Sequence, residues 1–184
     1  KIVDGVWNIN SCVGSKLIRE INPANLKGVT KPKIVSQIKN LINTSYLFLG
    51  YGQFANYIIK TIDSNEVFDD NTEISHKILK RLNNEFSDRL IIIDEVHNIR
   101  KSDDNENKKV ANYLEILVKY TNNLRLLLLS ATPMFNNFKE IFWLINLMNI
   151  NDRRGIIKYN DVFDKEGNFK NGGKELLVQK ITGY

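Results

Sequence analysis

Apolar and polar positions along the chain follow two rhythms, one helical and one continuous. Ile34, Val35, Ile38, Leu41 and Ile42 recur at the spacing of a single helix face, just behind Pro32, a residue suited to a first helical turn. Tyr46-Leu47-Phe48-Leu49-Gly50 is then a short apolar run predicted as a strand, with residues 51–62 as the helix after it. A polar connection over 63–72 leads to Ile74, Ile78, Leu82 and Phe86, spaced as an amphipathic crossover helix. That helix feeds Leu90-Ile91-Ile92-Ile93, a pattern expected of a strand buried on both faces, as in parallel sheets covered by helices. After a surface loop at 101–109, Val110, Tyr113, Leu114, Leu117 and Val118 mark another helix, and Leu126 to Leu129 a second buried strand. Pro133 stops that run, and Asn136 or Asn137 can cap a helix over 138–148. This last helix is apolar almost all round, so it is expected to be buried or docked. Residues 1–32 are expected to be irregular. Turn signals at 164–168 and 171–173 and a helical pattern at 175–181 close the chain. Strand alternating with helix predicts an α/β three-layer sandwich with a mainly parallel sheet.

Both buried runs end in polar groups. Leu90 to Ile93 runs into Asp94-Glu95-Val96-His97, and Leu126 to Leu129 into Ser130-Ala131-Thr132-Pro133. Ligands of parallel sheets gather outside the carboxyl ends of the strands, so the two sets would share one edge. The chemistry that suits them is hydrolysis of a Mg²⁺-nucleotide. An Asp at a strand end offers the hard oxygen ligand Mg²⁺ prefers, and a neighbouring carboxylate can polarise the attacking water. Asp94 is thus the candidate metal and nucleotide residue and Glu95 the candidate catalytic base. A zinc role for His97 fails on inventory, because His76 is the only other histidine and Cys12 the only thiol. Ser130 lacks the G-x-S-x-G elbow of a hydrolase nucleophile.

Composition adds three bounds. With 184 residues, 42% of them hydrophobic and 26% charged, the chain can bury one core or most of one domain. The net charge of +5 and pI near 9.2 suit a polyanionic partner. A single cysteine excludes an intrachain disulfide and fits a reducing compartment, and no apolar run is long enough to span a membrane. The counts of 25 Asn and 23 Ile against 4 Ala suggest an A+T-rich gene. The first residues, Lys1 to Gly5, form neither a signal peptide nor a natural start, so the chain is expected to be part of something longer.

Asp94-Glu95-Val96-His97 and Ser130-Ala131-Thr132 resemble motifs II and III of superfamily 2 helicases and translocases of the DEAD/DEAH type. More narrowly, Ile93 to Arg100 and Ser130 to Asn137 resemble the Snf2-like transcription helicases of large cytoplasmic DNA viruses, the group of the poxvirus early transcription factor and nucleoside triphosphatase. Trp7-Asn8 to Pro23, Phe48 to Tyr57 and the stretch to Asn151-Asp152-Arg153 are similar to the giant-virus members. The resemblance implies a RecA-like lobe of the P-loop NTPase type, with residues 1–150 part of the first, ATP-binding lobe and 151–184 a tail toward a second lobe. It implies ATP and Mg²⁺ as cofactors, and nucleic acid, DNA ahead of RNA, as partner. Viral RNA polymerase is a further implied partner, and virion or host cytoplasm the implied setting. His97, Ser130 and Thr132 would join Asp94 as cofactor-binding residues and link nucleotide state to nucleic-acid grip, and Gly50 and Tyr51 would touch the nucleic-acid backbone.

One departure stands out. Gly14-Ser15-Lys16 and Gly167 to Lys174 both miss the G-x-x-x-x-G-K-[ST] spacing of a phosphate loop. Without it, the alternative to an enzyme is a non-catalytic RecA-like module that binds nucleic acid or protein.

Overall fold

The computed structural model describes residues 2–3, 6–7, 19–20, 30–62, 74–99, 105–133 and 140–184, with backbone alone at 2–3, 6–7 and 105–108. Gly14-Ser15-Lys16, the connection at 63–72 and the Asn136 or Asn137 cap lie outside those residues. The chain divides into two units, 1–49 and 50–184.

In the first unit β1 (Ile2–Val3) and β2 (Val6–Trp7) pair antiparallel, with Ile2 opposite Trp7, where an irregular segment was expected. Helix α1 (Lys31–Ser45) begins with Pro in its first turn and covers the predicted stripe, but none of its residues is buried. Tyr46 to Gly50 is not a strand. The segment is extended at Tyr46, yet Tyr46, Leu47 and Phe48 are exposed and the Tyr46 and Phe48 rings stack on each other. A strand exists only through its ladder, and no described strand pairs with this run.

The second unit is built on a β-α-β crossover. Helices α2 (Tyr51–Ile62) and α3 (His76–Phe86) precede β3 (Leu90–Ile93); α4 (Asn105–Tyr120) then returns the chain to β4 (Arg125–Leu128). β3 and β4 are parallel, with Ile91 opposite Leu126 and Ile93 opposite Leu128. Ser75 caps α3 by accepting from the Ile78 amide, which ends the preceding segment where the apolar period begins. Ala55, Ile58 and Ile62 of α2, Ile78, Leu82 and Phe86 of α3, and Val110, Leu114, Leu117 and Val118 of α4 close over Ile93 and Val96 as one core.

Among the described residues the sheet is covered on one face rather than two. Ile93 is buried, but Leu90 and Ile92 are 57% and 52% exposed, and Leu127 and Leu129 are exposed as well. Side chains alternate across a strand, so every second residue of these apolar runs points away from the helices. Among the described residues no helix covers that second face.

Helix α5 (Glu140–Asn151) is apolar all round for a visible reason. Leu144 and Leu147 pack into the main core, while Phe142 and Ile145 belong to a second cluster with Ile157 and Val162. That cluster is formed by α6 (Tyr159–Val162) and α7 (Gly173–Ile181), the second matching the predicted 175–181 helix extended by two residues. Gly173 lies so close to Val162 that a Cβ there would sit 2.3 Å from the Val162 carbonyl oxygen. The mixed architecture, a parallel pair flanked by helices, is that of an incomplete RecA-like α/β lobe.

Candidate functional site

The two strand ends meet as their parallel pairing requires. The ladder continues one step past each strand: the Leu129 amide donates to the Ile93 carbonyl at 2.9 Å, and the Val96 amide donates to the Leu129 carbonyl at 2.9 Å. Asp94 and Glu95 occupy the turn between these bonds, and Val96 to Asn98 forms one 3-10 turn after it. Burial of Val96 and Ile99 pins that turn to the core while Asp94 and Glu95 stay exposed.

Glu95 takes a left-handed backbone conformation, φ 50° and ψ 51°. For a residue with a Cβ this costs roughly 1–2 kcal/mol. Local bonds hold it there: the Glu95 amide donates to Asp94 Oδ1 at 3.1 Å, and the Asn98 amide donates to the Glu95 carbonyl at 2.9 Å. The Tyr51 hydroxyl adds a long-range contact, 2.5 Å from the Asp94 carbonyl and 3.2 Å from that of Glu95. Gly50, expected beside it, is the residue before α2. Its carbonyl accepts from the Phe54 amide and its amide donates to Gln53 Oε1 at 3.0 Å. The Gln53 side chain thus satisfies an amide at the helix start, the reciprocal half of a capping box.

His97 joins the two strand ends. Its Nδ1 is 2.9 Å from Ser130 Oγ and 3.2 Å from Glu95 Oε2, and Ser130 Oγ accepts from the Thr132 amide at 3.1 Å. The chemistry at Nδ1 is conditional. When protonated it donates toward the Glu95 carboxylate; when bare it accepts the Ser130 hydroxyl proton. Thr132 contributes its backbone here, and its side chain is exposed.

Asp94, Glu95, His97, Ser130, Thr132 and Tyr51 are thus gathered at one sheet edge, with Gly50 immediately before Tyr51. Asp94 is exposed and commits Oδ1 to the Glu95 amide, which leaves Oδ2 as a hard oxygen donor. Such a carboxylate fits Mg²⁺, which takes one or two protein carboxylates and completes its shell with water and phosphate oxygens. Among the described residues no group of three or more His, Cys, Asp and Glu could hold a metal by itself. A surface hollow lined by Lys60, Thr61, Arg81, Asn84 and Glu85 takes no residue from this edge. Two features escaped sequence reasoning, the left-handed Glu95 and the Tyr51 hydroxyl on the turn. Glutamate is not a residue that favours a left-handed backbone, and a contact across more than forty residues has no local signature.

A parallel sheet edge that brings an acidic pair together with a histidine-bridged Ser-x-Thr segment fits an incomplete RecA-like α/β lobe. The chain matches the SNF2-related domain over residues 18–180, and it belongs to that family. Members of this superfamily 2 family are ATP-dependent helicases and translocases, which use ATP typically with Mg²⁺. No curated protein and no solved structure matches the chain.

Proposed function

We propose that this chain is the motif-bearing part of the first lobe of an ATP-driven DNA translocase or helicase. The observation that carries the reading is the Glu95–His97–Ser130 junction: a pure scaffold has no use for a histidine shared between two strand ends. In this reading Asp94 holds Mg²⁺, which neutralises charge on the transferred phosphoryl group. Glu95 accepts the proton of the attacking water. His97, with Ser130 and Thr132, couples that event to nucleic-acid contacts at the same edge, for which Gly50 and the Tyr51 ring are the candidates. The finer setting proposed is a large DNA virus, in virion or host cytoplasm, with a second RecA-like lobe and the viral RNA polymerase as partners. Its support is the likeness of Ile93 to Arg100 and Ser130 to Asn137 to that viral group. The absence of a G-x-x-x-x-G-K-[ST] loop from the 184 residues favours a second reading for this chain taken alone, a non-catalytic nucleic-acid- or protein-binding module.

The test compares three variants in a protein that also supplies the phosphate loop and second lobe. Asp94→Asn should impair both nucleotide binding and turnover. Glu95→Gln should keep nucleotide affinity and lose about 10²–10⁴-fold in rate, the usual contribution of a positioned base. His97→Ala should retain basal hydrolysis and lose its stimulation by nucleic acid. ATP affinity and stimulated ATPase rate are read side by side. If Glu95→Gln hydrolyses ATP like the parent, the site is not a motor site.

A further inference from the structure

Tyr51 stands apart from the other residues at the sheet edge, because it reaches the acidic turn from a different element. It is the first residue of α2, and its ring packs against the main core. From there its hydroxyl meets the carbonyl oxygens of Asp94 and Glu95, the two peptide groups that set where both carboxylates point. We propose that Tyr51 is a positioning residue: its hydroxyl holds the Asp94-Glu95 turn in the left-handed form and so aims the carboxylates. The consequence for turnover rests on the motor reading above; the anchoring itself does not.

Three observations support the assignment. The turn is exposed, so the core does not fix Asp94 and Glu95 through their own side chains. Its other bonds among the described residues lie within the turn, from the Glu95 amide to Asp94 Oδ1 and from the Asn98 amide to the Glu95 carbonyl, or run to the far strand through Val96 and Leu129 and through the His97 that meets the Glu95 carboxylate and Ser130. Among the described residues, only the Tyr51 hydroxyl ties the carbonyls of both acidic residues to the helical layer. Finally, the hydroxyl proton is a donor and the carbonyls are acceptors, so relaxing the left-handed turn, which rotates those carbonyls, breaks the bond. Tyr51 therefore favours the strained conformer over its relaxed alternatives.

Tyr51→Phe keeps the ring and removes the donor. In the 184-residue chain, amide exchange at Glu95, Val96 and Asn98 is expected to speed up about tenfold, while core amides of α2, α3 and α4 keep their rates. 4-Aminophenylalanine at 51 restores a donor and should restore slow exchange, a rescue that a purely packing role would not show. It also decides the matter should the Phe variant fold poorly. Unchanged exchange at the turn in Tyr51→Phe, or a uniform rise over all helices, overturns the proposal. In the active parent protein, kcat should fall about tenfold with KM for ATP unchanged; a raised KM with unchanged kcat also overturns it. A parent with no ATP turnover sinks the motor reading, and the exchange data still decide Tyr51.

Discussion

Glu95 holds a strained backbone, a hydrogen-bonded histidine and an exposed carboxylate in one residue. Strain of this kind persists only where neighbours over-determine it, and here they are Tyr51, Asn98 and Asp94. Tyr57, one turn and a half along α2, shows the same logic applied to stability. Its hydroxyl donates to Glu85, which also pairs with Arg89 at 3.1 Å. The hydrogen bond to Glu85, aided by desolvation and by the Glu85 charge, holds the Tyr57 phenol above its ordinary value of 10.0. A raised folded-state value means that the bond contributes fully below the unfolded value near 10 and is lost as pH climbs through the folded one. Tyr57→Phe should thus cost about 0.5–1.5 kcal/mol at pH 8, the usual net worth of a hydrogen bond. It should also lose less further stability than the parent between pH 8 and about pH 11. Urea midpoints of both proteins at the two pH values give the answer, and equal alkaline losses would refute the assignment. At this scale the sequence disclosed residue types and their edge: Asp94, Glu95, His97 and Ser130 announce themselves by following apolar runs. It hid the partnerships of Tyr51 and Tyr57, which depend on how α2 crosses the sheet edge and α3.

Helices were the most legible elements, because each buries one stripe and the stripe has a period. The predicted 51–62 helix matches α2 at both ends, and the Ile74 to Phe86 pattern gives α3 from His76 onward. Strands were less so. A run of apolar residues states that a segment can be buried, not that a partner is there to bury it. Among the described residues Tyr46 to Gly50 has no strand partner, and β3 and β4 are covered on one face. Helix ends held further surprises. After α5 the Arg153 amide donates to the Ile150 carbonyl and the Arg154 amide to that of Asn149, with Arg153 left-handed at φ 57°. This is a Schellman stop, with arginine where glycine is usual. The side chain accounts for the choice. The Arg153 guanidinium donates to the carbonyls of Val118, Lys119 and Thr121 at the end of α4, at 3.4, 2.5 and 2.7 Å. These carbonyls are the unpaired negative end of a helix, and the cation binds two elements together. Arg153→Ala should lose the clamp and keep the strain, costing about 1–2 kcal/mol for partly exposed charged hydrogen bonds. Arg153→Gly should cost less than Arg153→Ala by roughly 1 kcal/mol, since glycine accepts the left-handed conformation freely. Equal denaturation midpoints for the two variants would mean that the backbone there is not strained in solution.

At the scale of the whole chain, the parallel pair with its shared edge was legible, while the exposure of Leu90, Ile92, Leu127 and Leu129 on the second face was not. Coverage depends on what the chain packs against, and no local pattern encodes that. Charge is the other whole-molecule property, and it leads to a prediction independent of ATP. The net charge is +5, from 26 Lys and Arg against 21 Asp and Glu. The residues gathered at the sheet edge are acidic or neutral, so attraction to a polyanion has to come from basic side chains spread elsewhere. Contacts of that kind reach phosphates rather than bases and carry no sequence information. Binding of the 184-residue chain to DNA should therefore be weak and indifferent to sequence. It should also fall with salt, because each neutralised phosphate releases a counterion. A fourfold rise in salt then costs about 3.5-fold in affinity for every phosphate contact. Glu95→Gln should leave this binding unchanged, since the carboxylate is assigned to water and not to nucleic acid. Titration against two labelled duplexes of unrelated sequence, at about 50 and 200 mM salt, measures all three properties together. Tight binding to one duplex, or affinity that does not move with salt, would place recognition in base contacts and refute the electrostatic account. No binding at the lower salt would mean that the basic excess serves another partner, and nucleic-acid contact would then have to come from a region outside these residues.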